Sequence, residues 1–318
     1  MNERVTVAKD ESGDFSCVQD AVNALENGGE VFIKNGVYEE KIVVSADNIT
    51  LIGEDRDKTI LTYGDYARKL MPGGSEYGTA ATYSFLAGGN GFTAKNITFV
   101  NSAGPGKFGG QALAMSTDGD RVAFFNCAFL GHQDTLFTSP RPQRNKNDPD
   151  PDEMPADTPV LRNYFKDCYI KGDVDFFFGG ATAFFDNCEI YSNNREFDPN
   201  GYITAASTPK EQKWGYVFSR CRLLSDCAAD SVYLGRPWRL YAHTAFICCD
   251  MGAHIKKLGW HNWTKPEAEL TARYEEYGST GAGGDMSGRA KWSKILSDEE
   301  AAQYTIENVL GDWDISSL

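Results

Sequence analysis

The stretches FFNCAFLGHQD, residues 124–134, and YFKDCYIKGDVD, residues 164–175, decide the fold. In each, a cysteine is followed seven residues later by an aspartate, Cys127 by Asp134 and Cys168 by Asp175. If both stretches occupy the same place in consecutive turns of a stacked β structure, the aspartates lie on one face about one strand spacing apart, roughly 5 Å. Carboxylates that close titrate as a coupled pair with one apparent pKa raised. Such a pair offers a nucleophile or base beside a general acid. Two solvated turn residues are the plainer alternative.

The cysteine phrase recurs as FFDNCEIYS at 184–192, VFSRCRLLS at 217–225 and AFICCDMGA at 245–253, with cysteine-free relatives NITLIGE at 48–54 and NITFVNS at 96–102. Each unit alternates apolar and polar residues and is rich in Phe, Ile, Val and Thr, the pattern of a half-buried strand. Cys168 and Cys188 are only 20 residues apart. That is too short for a strand, a helix and a return strand, so strands must stack coil on coil. The expected class is all-β, a parallel β-helix, whose units bury a continuous core only by stacking.

In such a coil the cysteines form an inward column of small apolar side chains. The count of eight cysteines would otherwise suggest disulfides, but a chain of 318 residues can build a core without staples. No cysteine pair has metal-ligand spacing.

Hydrophobic residues make up 41% and charged residues 24%. No stretch approaches the roughly 20 apolar residues of a membrane span, so neither a membrane nor, at a net charge of −14, nucleic acid is an expected partner. An anionic polymer would have to meet local positive charge. The start, MNERVTVAKDESGDF, lacks a basic region followed by a long apolar run. The expectation is a cytoplasmic, reduced protein, or a secreted one if a leader has been trimmed.

Phe15, Val18, Val22 and Leu25 fall at helical spacing before Gly28-Gly29, which predicts a helix plugging the first end of the coil. Ser297 with Glu300 forms a capping-box start for a helix through Val309 that would cap the other end. The segment SPRPQRNKNDPDPDEMPADTPV, residues 139–160, cannot be a strand. It is a surface insertion between the turns of Asp134 and Asp175, beside the cleft, in one domain spanning residues 1–318.

Gln133 adjoins Asp134, and Gln111 lies one coil earlier in GGQALAM. Two amide donors suit an oxyanion that develops during acyl transfer; a structural glutamine ladder fits the spacing equally well. In YLGRPW, Arg236 sits in a stiff turn where its guanidinium could clamp a carboxylate, and Trp238 offers a face on which sugars stack. Taken singly, a surface arginine and a packing tryptophan are the plainer readings.

QALAM, GHQDTLF, DFFFGGA and YLGRPW, in this order, closely resemble the signature segments of pectin methylesterases (pectinesterases) of bacterial type, carbohydrate esterases that remove methyl esters from homogalacturonan. The resemblance runs from VTVAKDESGDFSCVQDAV and NGVYEEKI through GFTAKNITFVNSAG to GWHNW and RYEEYGSTGAG. It implies a right-handed single-stranded parallel β-helix with no metal or organic cofactor, acting on methyl-esterified homogalacturonan or oligogalacturonides. It makes Asp175 the nucleophile that forms an acyl-enzyme, and Asp134 the acid that protonates departing methanol and then the base for water. Gln111 and Gln133 would stabilise the oxyanion, and Arg236 would hold Asp175 ionised. Thr79, Phe178 and Trp238, with Gln111 and Arg236, match substrate-contacting positions. Two departures stand out: Phe177 replaces an aliphatic residue, and the 139–160 insertion lengthens a short connection. Rival readings are a polysaccharide lyase or hydrolase on the same coil, a non-catalytic carbohydrate-binding β-helix, and an esterase for another ester. The paired glutamines favour acyl transfer. No oligomeric state follows from the sequence.

Overall fold

The computed structural model describes residues 3–140 and 158–318. Short strands wind so that each pairs, in parallel, with the strand one turn before and one turn after it: Val122–Phe125 lies between Thr93–Lys95 and Arg162–Lys166. Among the described residues this produces three parallel sheets of eleven, eight and seven strands. Parallel crossovers wind right-handed, and the chain is a right-handed parallel β-helix.

Stacking dictates what fills the core. Phe124, Phe165, Phe185, Phe218 and Phe246 occupy one position in successive turns, with neighbouring centroids 5.0, 4.6, 4.5 and 4.6 Å apart and planes within 15° of parallel. Their separation is the interstrand repeat itself. Phe177 is also buried, edge-on to Phe185 and Phe218 at 5.0 and 5.2 Å, so this departure is a packing change.

The recurring cysteine phrase marks a corner between the eleven- and eight-stranded sheets. Asn96, Asn126, Asp167, Asn187, Arg220 and Cys248 have φ between 48° and 56°. This is the left-handed region, which costs ordinary residues roughly 1–2 kcal/mol and is tolerated best by Gly, Asn and Asp. The residue that follows each one turns inward: Ile97, Cys127, Cys168, Cys188, Cys221 and Cys249 are buried. Outside the corner, Asn126 Nδ2 donates to Asn96 Oδ1 (2.8 Å) and Asn187 Nδ2 to Asp167 Oδ1 (2.6 Å). All eight cysteines are free thiols. The inward column does not take all of them, however. Cys17 and Cys227 are half-buried and Cys248 is exposed, because Cys248 occupies the outward left-handed position of its corner.

At the first end, the helix Val18–Ala24 buries Val18, Ala21 and Val22, with Leu25, against the opening turn. It begins at Val18, and Phe15 remains in the preceding segment. Cys17 supplies no side-chain cap; instead the Glu40 carboxylate accepts from the N–H groups of Val18 (3.1 Å) and Gln19 (3.0 Å).

The expected second capping helix differs from what forms. Ser297 and Glu300 do make the capping box, but the segment breaks into Asp298–Ala301 and Ile306–Leu310. Thr305 caps the second piece, accepting from Asn308 N–H. Ala301, Val309, Leu310 and Trp313 pack against Tyr164, Phe184, Val217 and Ala245 on the outer face of the eleven-stranded sheet. They cover a side of the coil because that face is apolar. The last turns are closed instead by the stacked pair Trp260 and Tyr274, 4.1 Å apart, with Trp292 beyond it. The buried ion pair Arg289–Glu276 (2.9 Å) lies beneath, and Trp260 Nε1 donates to the same carboxylate. Of the expected 139–160 insertion, residues 141–157 lie outside the described residues.

Candidate active site

The seven-stranded sheet presents its outer face as the site. In Leu136–Thr138 and Val174–Gly179, Leu136 pairs with Phe177 and Phe137 with Phe178. Leu136 and Phe177 point into the core, while Phe137 and Phe178, 4.8 Å apart, join Leu113 and Ala205 in an apolar floor outside it. Two residues back along the same register, Asp134 faces Asp175 on the neighbouring turn.

Both aspartates are in the left-handed region, with φ of 62° and 51°. At Asp175 the pairing with the next strand slips: Val174 pairs with Tyr202 but Phe177 with Thr204, so one extra residue is accommodated. Such a bulge re-aims a side chain, and here it aims Asp175 outward beside Asp134. The Asp134 N–H donates to Val174 O (3.0 Å) and ties the two turns together.

Arg236, reaching across from the strand Val232–Gly235, donates from Nε to Asp175 Oδ1 (2.8 Å) and from Nη2 to Oδ2 (2.7 Å), the expected two-pronged clamp. Its guanidinium is sandwiched between the rings of Tyr202 and Trp263, 3.9 and 3.7 Å from their centroids. Packing between two faces fixes the plane of the fork as well as its charge. Burial, then the Asp175 charge, push the Asp134 carboxyl well above the usual carboxylate range, with Arg236 opposing. Burial also raises the Asp175 carboxyl, but hydrogen bonds and charge from Arg236 pull it back. The rise is thus opposed more strongly at Asp175 than at Asp134.

One cavity of about 530 Å³ is lined by Thr79, Gln111, Gln133, Asp134, Asp175, Phe178, Arg236 and Trp238, so every site residue named from the sequence meets there. Gln111 and Gln133 come from successive turns: the Gln133 carbonyl accepts the N–H of Ala112 (3.2 Å). Thr79 opens the short turn Thr79–Ala81, held from below by Lys41, whose Nζ donates to Ala81 O (2.5 Å) and to Asp65 (2.6 Å). Trp238 stands 5.7 Å from Phe178.

Sequence reasoning missed Tyr202 and Trp263. Trp263 is a bulky residue at φ 54°, a strained conformation stabilised by its N–H donating to His261 Nδ1 (2.9 Å). The one available signal was GWHNW itself. Among the described residues no group of three His, Cys, Asp or Glu side chains is arranged to hold a metal ion.

The sequence pattern of the family described as Pectinesterase matches residues 4–147 and 157–312. Pectinesterase 31 of Arabidopsis thaliana is 36% identical over an alignment of 311 residues that covers 94% of this chain and 90% of that protein. Probable pectinesterase/pectinesterase inhibitor 6 of the same plant is also 36% identical, over 96% of this chain, which spans about half (52%) of that longer relative. Among solved structures, a pectin methylesterase in complex with a hexasaccharide superposes with a TM-score of 0.82 at 30% identity, covering 97% of each chain. Fold, site and sequence together put the chain in the pectinesterase family.

Proposed function

We propose that Asp175 is the nucleophile, and Asp134 the general acid and then the general base, in the hydrolysis of pectin methyl esters. The chain is a carboxylic ester hydrolase of the pectinesterase type. The observation that carries the assignment of roles is the Arg236 fork on Asp175, one turn from a buried carboxyl whose proton is held tightly.

The ionised Asp175 attacks the ester carbonyl, and its electron pair becomes the new C–O bond. The resulting oxyanion falls to the side-chain amides of Gln111 and Gln133. Collapse breaks the bond to the methoxy oxygen, which takes the Asp134 proton and leaves as methanol, so that Asp175 is joined to the uronate as an anhydride. Asp134, now ionised, removes a proton from water. The hydroxide attacks the uronate carbonyl of the anhydride, Asp175 departs as carboxylate with Asp134 again protonated, and the product leaves as a uronic acid that loses its proton to solvent and becomes the free carboxylate.

Pectin or its oligogalacturonides are the substrate this reading requires, and the hexasaccharide complex of the related pectin methylesterase supports a site open to a chain of sugars. Phe178, Trp238 and Trp263 supply apolar faces for pyranose rings. Gln133 also borders a second groove of about 240 Å³ lined by Lys107 and Arg195. Among the described residues these two cations form no ion pair with a carboxylate, so they are the local positive charge that an acidic protein needs to accept a polyuronate.

The test is product analysis. Methylated pectin and oligogalacturonides should yield methanol with no new reducing ends and no unsaturated sugars, and Asp175→Asn should abolish release. Chain cleavage without methanol, or a pure Asp175→Asn variant with near-wild-type turnover, would overturn the reading.

A further inference from the structure

The geometry points to His132 and Asp173 as a positioning pair that locks together the two turns carrying the catalytic aspartates. The inference rests on the roles proposed above for Asp134 and Asp175. His132 lies two residues before Asp134, and Asp173 two before Asp175, on facing turns. His132 Nδ1 is 2.9 Å from Asp173 Oδ2. Because a carboxylate oxygen accepts, the ring Nδ1–H is assigned as the donor. The other carboxylate oxygen, Oδ1, accepts from Val174 N–H (2.9 Å), and Asp173 N–H donates to His132 O (3.1 Å). Gly172 permits that approach: a Cβ there would meet His132 O at 2.8 Å and Phe176 at 2.3 Å.

The need for such a lock follows from a gap in the strand pairing between these two turns. Strand pairing between these two turns stops at Leu130–Lys171 and resumes at Leu136–Phe177, and in the stretch between them both aspartates adopt left-handed conformations. Misplacement by an ångström here would separate the nucleophile from its acid and shift Gln133, the residue between His132 and Asp134. A side-chain hydrogen bond across the turns, with the Asp173 side chain only 3% exposed, adds to the backbone bonds a constraint within that gap. The Asp173 charge also acts on the pair. Asp134 is faced by Asp175, Arg236 and Asp173, and Asp175 by Arg236, Arg195 and Asp173; in both, Asp173 favours the protonated carboxyl.

Three variants separate the lock from a merely structural role. His132→Ala removes the donor and should lower kcat on methylated oligogalacturonides about tenfold, the worth of one charge-assisted hydrogen bond, with KM within about twofold. His132→Asn carries an amide N–H near the position of ring Nδ1 and should recover most of that loss. Asp173→Asn keeps an acceptor but no charge, so kcat should survive while the alkaline limb of the methanol-release profile moves to lower pH, because Asp134 then loses its proton sooner. Unchanged kcat in a folded His132→Ala, equal impairment of the Ala and Asn variants, or an unshifted profile in Asp173→Asn would each overturn the proposal. A wild-type enzyme that releases no methanol would instead overturn the function on which it rests.

Discussion

At the scale of single residues, the two aspartates differ in what holds them. Asp134 is buried with its carboxyl raised, mainly by burial. A raised folded-state value contributes stability that is complete below the unfolded value near 3.8 and is lost as pH rises through the folded value. Asp134→Asn, which does not titrate, should therefore be inactive yet more stable than wild type at neutral pH, by on the order of 1 kcal/mol. The gain should shrink as pH falls towards that unfolded value, and urea midpoints measured against pH check it. Asp175→Asn should show no such gain, because it leaves a sandwiched guanidinium without its counter-charge. For Arg236→Lys, an ammonium can neither fork onto two oxygens nor stack between Tyr202 and Trp263. Turnover should drop by about a hundredfold or more, read from methanol release at saturating substrate. Seven of the eight site positions were legible because each lies inside a motif whose chemistry restricts residue type, whereas Thr79 lies in none of the motifs and came only with the resemblance. Tyr202 and Trp263 were not legible. Tyr202 reaches the site through its pairing with Val174 on one side and Tyr233 on the other, and the Trp263 segment meets the sheet through the bridge Gly235–Trp260, relations that no local pattern encodes.

Among elements, the corners tell the most. The recurring cysteine phrase announced strands, yet its physical content is the left-handed residue that turns the chain and the small side chain that fits behind it. Alternation of apolar residues reveals a strand face; it does not reveal a corner one residue wide, so the column was legible and the outward position of Cys248 was not. Thiol modification of the native protein should therefore be fast at one site, Cys248, slower at half-buried Cys17 and Cys227, and absent at the five column cysteines until unfolding. Mass spectrometry of time points identifies the order; rapid labelling of Cys188 would contradict the packing. The C-terminal helices illustrate the same limit. Their capping box could be read from Ser297 and Glu300, but a helix pattern says that one face seeks cover without saying whether the partner is the end of the coil or its flank.

For the molecule as a whole, the core is one column open at two ends, and each end is closed by different means. Arg289 and Glu276 lie at the closing end with side chains 3% and 2% exposed, and Arg289 also donates to the carbonyls of Lys256, Lys257 and Gly283. Arg289→Ala should cost about 3–5 kcal/mol, seen in urea unfolding, because it strands the Glu276 charge among buried groups. The double change Arg289→Met with Glu276→Leu should recover much of the loss. The way the site is assembled has another consequence. Asp134 and Asp175 meet through the spacing between adjacent turns, and Arg236 joins them from 61 residues beyond Asp175, so the distances that matter for chemistry are set across the coil and owe nothing to the length of chain connecting it. Loop closure becomes costlier only logarithmically with added residues. The stretch between the two aspartates is thus free to grow, shrink or acquire new contacts over evolutionary time while the reacting atoms stay where the lattice of turns puts them, and substrate selectivity can drift without the chemistry being reinvented.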